Sequence, residues 1–306
     1  MNIIYPSLSI AFDLLWLTLW IKFILKAHVN GRRRMRDPQH HLAKLDPVWE
    51  RIRQEAEQSI QREALLGGFM HQIILQHSDI EAALSHSLAQ KLASAQMSEQ
   101  ALHDMCALAY ANEPELALAA RADIMAYYDR DPACHRYMQP LLYFKGFQAV
   151  QAYRVAHYLW KDGRIDLAYV MQSRTSEVFG IDIHPNARIG KGLMIDHAHS
   201  VVIGETAVVG DNVSMLHAVT LGGTGKEEQD RHPKIGDGVL IGAGAKVLGN
   251  IHVGRCSRIA AGSVVLDNVP EKSTVAGVPA KVVGTAGCST PSISMDQLLS
   301  GEASLD

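Results

Sequence analysis

The chain has 306 residues, 47% of them hydrophobic, enough to bury one or two full cores, and its 6% aromatic content suits cores of Ile, Val and Ala. A formal net charge of -3 leaves no basic surplus to neutralise phosphates, which argues against nucleic acid as a partner. Cys106, Cys134, Cys256 and Cys288 are far apart and form no CxxC pair, as expected of a reduced cytosolic protein without disulfides or a zinc finger.

Residues 1–40 read as a leader. The run from Leu8 to Leu25 is apolar, but Asp13 and Lys22 leave a clean stretch too short to span a bilayer, and no basic residue precedes it as a secretory signal requires. Lys26, Arg32, Arg33 and Arg34 follow it, so any insertion would leave the main body cytoplasmic. Met35 is an alternative start, and a peripheral membrane helix is the other reading.

Residues 41–180 read as an all-helical domain. Asp46-Pro47 is an N-cap with proline at the first helical position, ahead of Val48, Trp49, Ile52 and Ala56. Ser78-Asp79-Ile80-Glu81 reads as a capping box, followed by one apolar face through Leu92. Further helices are expected over 98–111, 114–128, 140–161 and 165–179, with a break at Asp129-Arg130-Asp131-Pro132-Ala133 because proline restricts the residue before it.

From Ile183 onward, across residues 181–285, aliphatic residues recur every six positions: Ile183, Ile189, Ile195, then Ile203, Val209, Met215 and Leu221, then Ile235, Ile241, Val247, Val253, Ile259 and Val265. Six residues fit neither a 3.6-residue helix nor a long alternating strand, but they fit a short strand and turn wound into a solenoid of about eighteen residues per coil. The expected fold class is α+β: a helical domain followed by a parallel β-helix. Two breaks interrupt the period, beside Asp196-His197-Ala198-His199 and over Gly222 to Pro233, the second long and polar enough to leave the coil as a loop. Residues 286–306 form a tail.

Arg130-Asp131-Pro132-Ala133, Gln151-Ala152-Tyr153-Arg154, Asp182-Ile183-His184-Pro185, Asp196-His197-Ala198, Gly204-Glu205-Thr206-Ala207, Thr220 to Lys226, Asp230-Arg231-His232-Pro233-Lys234 and Ala276-Gly277-Val278-Pro279-Ala280 follow one another in an order and spacing that resemble the bacterial serine O-acetyltransferases. Hexapeptide repeats alone indicate only a broad acyltransferase superfamily. The helical cap with Asp131 narrows the resemblance. It implies a left-handed coil, acetyl-CoA as co-substrate without a metal, L-serine as acceptor, and feedback inhibition by L-cysteine. It further implies a cytoplasmic homohexamer built as a dimer of trimers, with sites shared between subunits.

Removing a hydroxyl proton as it attacks a thioester suits histidine, whose unperturbed pKa lies near neutrality. By resemblance, His197 is that base and Asp182 orients its other ring nitrogen, while Asp131, Asp196, Arg231 and His232 hold the amino acid. A guanidinium can fork onto a carboxylate, and carboxylates can receive an ammonium. His184 reads as a structural turn residue and His199 carries no role. Coenzyme A is expected along the solenoid edge, on the amides of Gly223 and Ala243, with Lys234 or Lys246 near its phosphates. A Walker loop is excluded, because Glu227 stands where Ser or Thr is required. Relatives that bind O-acetylserine sulfhydrylase do so through a tail ending in isoleucine, so a chain ending in Asp306 is expected not to form that complex. Rival readings are a hexapeptide acetyltransferase with another hydroxyl or amine acceptor, a carbonic-anhydrase-like zinc site drawn from His197, His217 and His232 or a purely structural solenoid, and a scaffold that binds the sulfhydrylase without catalysis, which Asp182, His197 and Arg231 argue against.

Overall fold

The computed structural model describes residues 46–225, 228–287 and 289–297, and the leader, Lys226, Glu227, Cys288 and the end of the tail lie outside the described residues. Helix α1 (Pro47–Arg62) starts on the proline, whose missing N–H would have no partner in a first turn, and buries Val48, Trp49, Ile52 and Ala56. The next segment was not legible as an element. It makes a 3-10 turn (Ala64–Leu66) capped by the Glu63 carboxylate, a short α turn (Gly67–Met70) and a π turn (His71–Leu75). No single helical stripe describes such a mixture, although Met70, Ile73 and Ile74 are buried.

Helix α2 (Ile80–Leu92) is capped by Asp79, which accepts from the Ala82 amide at 2.9 Å. The cap is therefore one residue later than the expected Ser78, whose hydroxyl donates to Asp79 instead. Helix α3 (Glu99–Asn112) is capped by Ser98. Helix α4 (Glu115–Arg130) runs two residues past the expected end, because the restriction before Pro132 falls on Asp131 alone, which is extended at ψ 110°.

The helix expected over 140–161 is two, α5 (Met138–Tyr143) and α6 (Lys145–Lys161), separated by an extended Phe144. The break follows from packing: the Phe144 ring lies 5.6 Å from that of Tyr127, and Gly146 is pressed against the solenoid. Helix α6 is buried along most of its length, and α7 (Ile165–Phe179) ends on Gly180 in the left-handed conformation that glycine adopts readily.

Beyond Gly180 the period of six becomes short parallel strands on three faces. The first face carries β1 (Ile181–Ile183), β4 (Val201–Ile203), β7 (Thr220–Gly222), β10 (Lys246–Leu248) and β13 (Val264–Val265). The second carries β2 (Arg188–Ile189), β5 (Val208–Val209), β8 (Lys234–Ile235) and β11 (His252–Val253). The third carries β3 (Met194–Ile195), β6 (Ser214–Met215), β9 (Leu240–Ile241), β12 (Arg258–Ile259) and β14 (Ser273–Gly277).

Ile183, Ile203, Leu221, Val247 and Val265 stand in register on the first face, and Ile195, Met215, Ile241, Ile259 and Val275 on the third; none is more than 3% exposed. Most of the coil interior is thus the aliphatic series read from the sequence. Asp182 pairs with Val202, Val202 with Thr220, and Thr220 with Lys246, so the irregular spacing is absorbed at corners without disturbing the ladder. A hairpin that the period does not predict, β14 with antiparallel β15 (Ala280–Thr285), covers the last coil. The tail returns as α8 (Pro291–Ser294), where the Ser292 carbonyl accepts from the buried Ser214 hydroxyl at 2.8 Å.

Polar side chains from α4 and α6 close the seam with the solenoid. Fully buried Asp123 accepts from Arg154 Nη2 at 2.8 Å and from the Leu193 amide at 2.9 Å. Arg154 also reaches the Gly190 carbonyl, and Arg130 reaches the Gly192 carbonyl and Ser214. The Tyr127 hydroxyl both donates to the Ile195 carbonyl at 2.8 Å and accepts from its amide at 3.1 Å. These bonds hold the end of α4 against the strand that leads to Asp196.

Candidate active site

One corner, between β3 and β4, carries Asp196, His197, Ala198, His199 and Ser200. The backbone is left-handed at His197, Ala198 and Ser200, with φ of 54°, 56° and 57°, a conformation rare outside glycine. It persists because its surroundings hold it: the Asp196 amide donates to the Met215 carbonyl, the Ala198 amide to the Asp196 carbonyl, and Ala198 itself is fully buried. The result turns the His197 ring outward, 76% exposed, with Nε2 3.7 Å from Asp196 Oδ2.

His217, one coil later on the same corner, presents its ring edge to His197 at 5.9 Å between centroids. Asp131, at the end of α4, accepts from the Ala133 amide and is close enough for its charge to act on Asp196. Burial raises the Asp196 carboxyl above its ordinary range, His197 pulls it back, and the Asp131 carboxylate raises it further. A carboxyl whose ionisation is opposed by burial and by a neighbouring carboxylate favours a cation beside it. Lys145 Nζ lies 2.9 Å from His199 Nδ1, so that nitrogen accepts and His199 ties α6 to the corner.

A second corner, following the first-face strands, carries His184, Glu205, Thr206, Arg231 and His232. Arg231 Nη2 donates to Glu205 at 2.8 Å and Nη1 to the carbonyls of Glu228 and Gln229. The Arg231 guanidinium holds the Glu205 carboxyl below its ordinary range. Among the described residues Arg231 Nε meets no acceptor, so that donor of the guanidinium remains open. His184 is seated between Trp160 and Tyr169, and burial lowers its pKa. His232 lies over Gly204, where a Cβ would fall 2.0 Å from its Nε2. Glu205 and Thr206 had no assigned role; their one signal in the sequence is their place in the Gly204-Glu205-Thr206-Ala207 motif.

The structure therefore groups Asp131 with Asp196 and His197 on one corner, and Arg231 with His232 on another. Asp182, on the face between them, accepts from Gln172 Nε2 of α7 at 2.7 Å. Among the described residues no hydrogen bond or ion pair joins Asp182 to His197 within one chain. Within one chain His197 and His217 share a corner while His232 lies on the other, and no metal-competent group of three occurs among the described residues.

Ala243 follows β9 on the His197 corner and Gly223 follows β7 on the Arg231 corner; among the described residues neither amide N–H meets an acceptor. The lysines are occupied within the chain. Lys234 Nζ donates to the Asp230 carboxylate and to the Thr206 and His232 carbonyls, and Lys246 Nζ to the Ala218 carbonyl.

Residues 48–152 match the family model for the serine acetyltransferase N-terminal region, and residues 232–267 match that of the bacterial transferase hexapeptide repeats. The chain is 52% identical over 257 residues to serine acetyltransferase of Salmonella typhimurium, covering 84% of this chain and 94% of that protein. Serine acetyltransferase of Brucella abortus in complex with coenzyme A superimposes with TM-score 0.79 at 54% identity, covering 81% and 99% of the two chains. A serine acetyltransferase complexed with cysteine gives TM-score 0.81 at 49% identity, covering 82% and 98%. The Neisseria gonorrhoeae enzyme complexed with serine gives 0.75 at 51%, covering 79% and 99%. With both the helical cap and the solenoid matched at this identity, the chain belongs to the serine acetyltransferase family.

Proposed function

We propose that the chain transfers acetyl from acetyl-CoA to the hydroxyl of L-serine, releasing O-acetyl-L-serine and CoA. The observation that carries this reading is the grouping of Asp131, from the helical cap, with Asp196 and His197, from the solenoid: a carboxylate that raises its neighbour's carboxyl, beside an outward imidazole. The ammonium of serine offsets the charge that opposes Asp196, and the open Nε of Arg231 takes its carboxylate. His197 accepts the hydroxyl proton as the serine oxygen attacks the thioester carbon. The carbon–sulfur bond then breaks, and the departing CoA thiolate takes that proton. None of the three cysteines among the described residues is exposed, so direct transfer is preferred to a covalent relay. L-Cysteine, isosteric with serine, competes for the same groups.

The two corners are separate in one chain, which supports a trimer in which the Asp196–His197 corner of one subunit faces the Arg231–His232 corner of the next. Asp182 then orients His197 across or beside that interface, and the pantetheine arm runs between the amides of Ala243 and Gly223. The helical caps join two trimers into a hexamer. Among the described residues no helix is long and apolar enough to cross a membrane. Acetyl-CoA and buried free thiols suit the cytoplasm.

The test is CoA thiol release from acetyl-CoA with L-serine, homoserine, threonine or a sugar, using wild type and His197→Ala. Serine-dependent release that disappears in the variant is expected. Release that ignores the acceptor's amino and carboxylate groups would favour the broader hexapeptide acyltransferase reading.

A further inference from the structure

The proton position of the His232 ring follows from the backbone, as does that of His184, whose Nδ1 accepts from the Asn186 amide at 3.1 Å. The His232 Nδ1 lies 3.1 Å from the Thr206 main-chain nitrogen, an amide that can only donate. An imidazole nitrogen that accepts a hydrogen bond carries a lone pair and no proton, so the neutral ring must hold its proton on Nε2.

The Thr206 hydroxyl strengthens the assignment. Its oxygen accepts from the amides of both Arg231 and His232, at 3.0 and 3.1 Å, and stands 2.9 Å from Nδ1. With those two amides on its lone pairs, its proton points out to an acceptor. Nδ1 is at bonding distance. The Asp230 carboxylate also acts on this hydroxyl, and a hydroxyl turned to Asp230 leaves the peptide bond to Nδ1 unaltered.

We propose that His232 works as a fixed neutral donor, its Nε2–H bonding a carboxylate oxygen of the amino-acid substrate beside Arg231, and that it is not a proton acceptor in the reaction. Thr206 is the positioning residue that sets this state. Protonating the ring would require a second N–H on Nδ1, directed at the Thr206 amide.

The surrounding charges oppose protonation as well. Arg231 and Lys234 lie close on the same segment, His184 faces it from the preceding coil, and the nearby anions are each paired, Glu205 with Arg231 and Asp230 with Lys234. Burial and these cations hold the His232 pKa below its ordinary value. Among the described residues Nε2 has no partner within the chain and is not sealed from the surface, so it is available to a ligand. Because Arg231 and His232 hang from adjacent amides on one hydroxyl, they move as a unit, one supplying charge and the other a directed neutral bond.

The assignment of the proton stands on this geometry alone; its use on serine rests on the acetyltransferase reading. Two measurements keep these apart. Solid-state NMR of the full chain with labelled histidine, with His232→Leu identifying the resonance by subtraction, reads the tautomer without turnover. A bare Nδ1 and protonated Nε2, unchanged from about pH 6 to about pH 8, are expected. Thr206→Ser and Thr206→Val both retain the main-chain amide and should keep that signature. An Nδ1–H form, or a ring that titrates in this range, overturns the proposal even if the enzyme acetylates serine.

Kinetically, His232→Leu should raise KM for serine about tenfold while both limbs of the kcat/KM pH profile stay in place. A fall in kcat of about a hundredfold or more, or the loss of a limb, would identify a proton-transfer residue and overturn the proposal. Wild type without serine-dependent release would sink the acetyltransferase reading and leave the tautomer result standing.

Discussion

Replacing Gly146 with alanine tests how tightly α6 and the Asp196–His197 corner are joined. The new Cβ would fall 2.3 Å from the Ile195 carbonyl oxygen, 2.6 Å from the Tyr127 hydroxyl and 2.9 Å from the Ala198 Cβ. None of these is the end of a flexible side chain: one is main chain, and the others are buried and held in place. Overpacking of this kind costs about 1–3 kcal/mol. Displacing the Tyr127 hydroxyl from its two bonds with Ile195 adds about 1 kcal/mol for each. The helical preference of alanine over glycine returns about 1 kcal/mol. The net expectation is a loss of about 2–4 kcal/mol, measured by urea unfolding followed by circular dichroism with the slope compared between proteins. kcat should fall as well, because the strained backbone at His197 and Ala198 is what the contact supports. Stability within about 0.5 kcal/mol of wild type, a typical surface-substitution effect, would refute the close contact.

Asp123→Ala should cost about 3–5 kcal/mol by stranding the buried Arg154 guanidinium, whereas Asp123→Leu combined with Arg154→Met should recover most of it; equal losses in the same unfolding assay would show that the ion pair is not the cause. Asp131→Asn should move the acid limb of kcat/KM for serine to lower pH, because it removes the like charge that raises Asp196. In the window between its ordinary and raised pKa, folded Asp196 retains a proton that the unfolded chain has lost, so its contribution to stability falls as pH rises, and the substitution narrows that window. An unmoved limb would mean that Asp131 does not act on Asp196. Burial pushes the Cys106 thiol up to about 12 and the Cys134 thiol up to about 11, so iodoacetamide at neutral pH should label neither until the chain unfolds; rapid native labelling, read by peptide mass spectrometry, would contradict this packing.

The solenoid was legible because each hexad commits one aliphatic residue to a dry interior, and a period of six has few other physical meanings. Helix ends were less legible where two signals competed. Ser78 and Asp79 are both good caps, and only the fold shows the carboxylate taking the amide. The interruption at Phe144 had no local sign, since it is set by a contact with Tyr127 and by the closeness of Gly146 to another element. The identities of Asp131, Asp196, His197 and Arg231 came from motifs, but their distribution over two corners came only from coil register. Glu205 and Thr206 escaped notice because their work is to hold Arg231 and His232, and nothing in residue type distinguishes such a support from an ordinary turn.

The histidines and amides of the exposed corner are stacked by successive coils, so their vertical separation follows the spacing of parallel strands, about 4.8 Å, and not the repacking of side chains. The main-chain ladder acts as a ruler ticked in units of one coil. Substitutions inside the coil can loosen or tighten the core while leaving the pitch unchanged, and residues added at a corner lengthen a loop without shifting the ticks above it. The dimensions of the exposed corner are thereby insulated from drift in the hydrophobic interior.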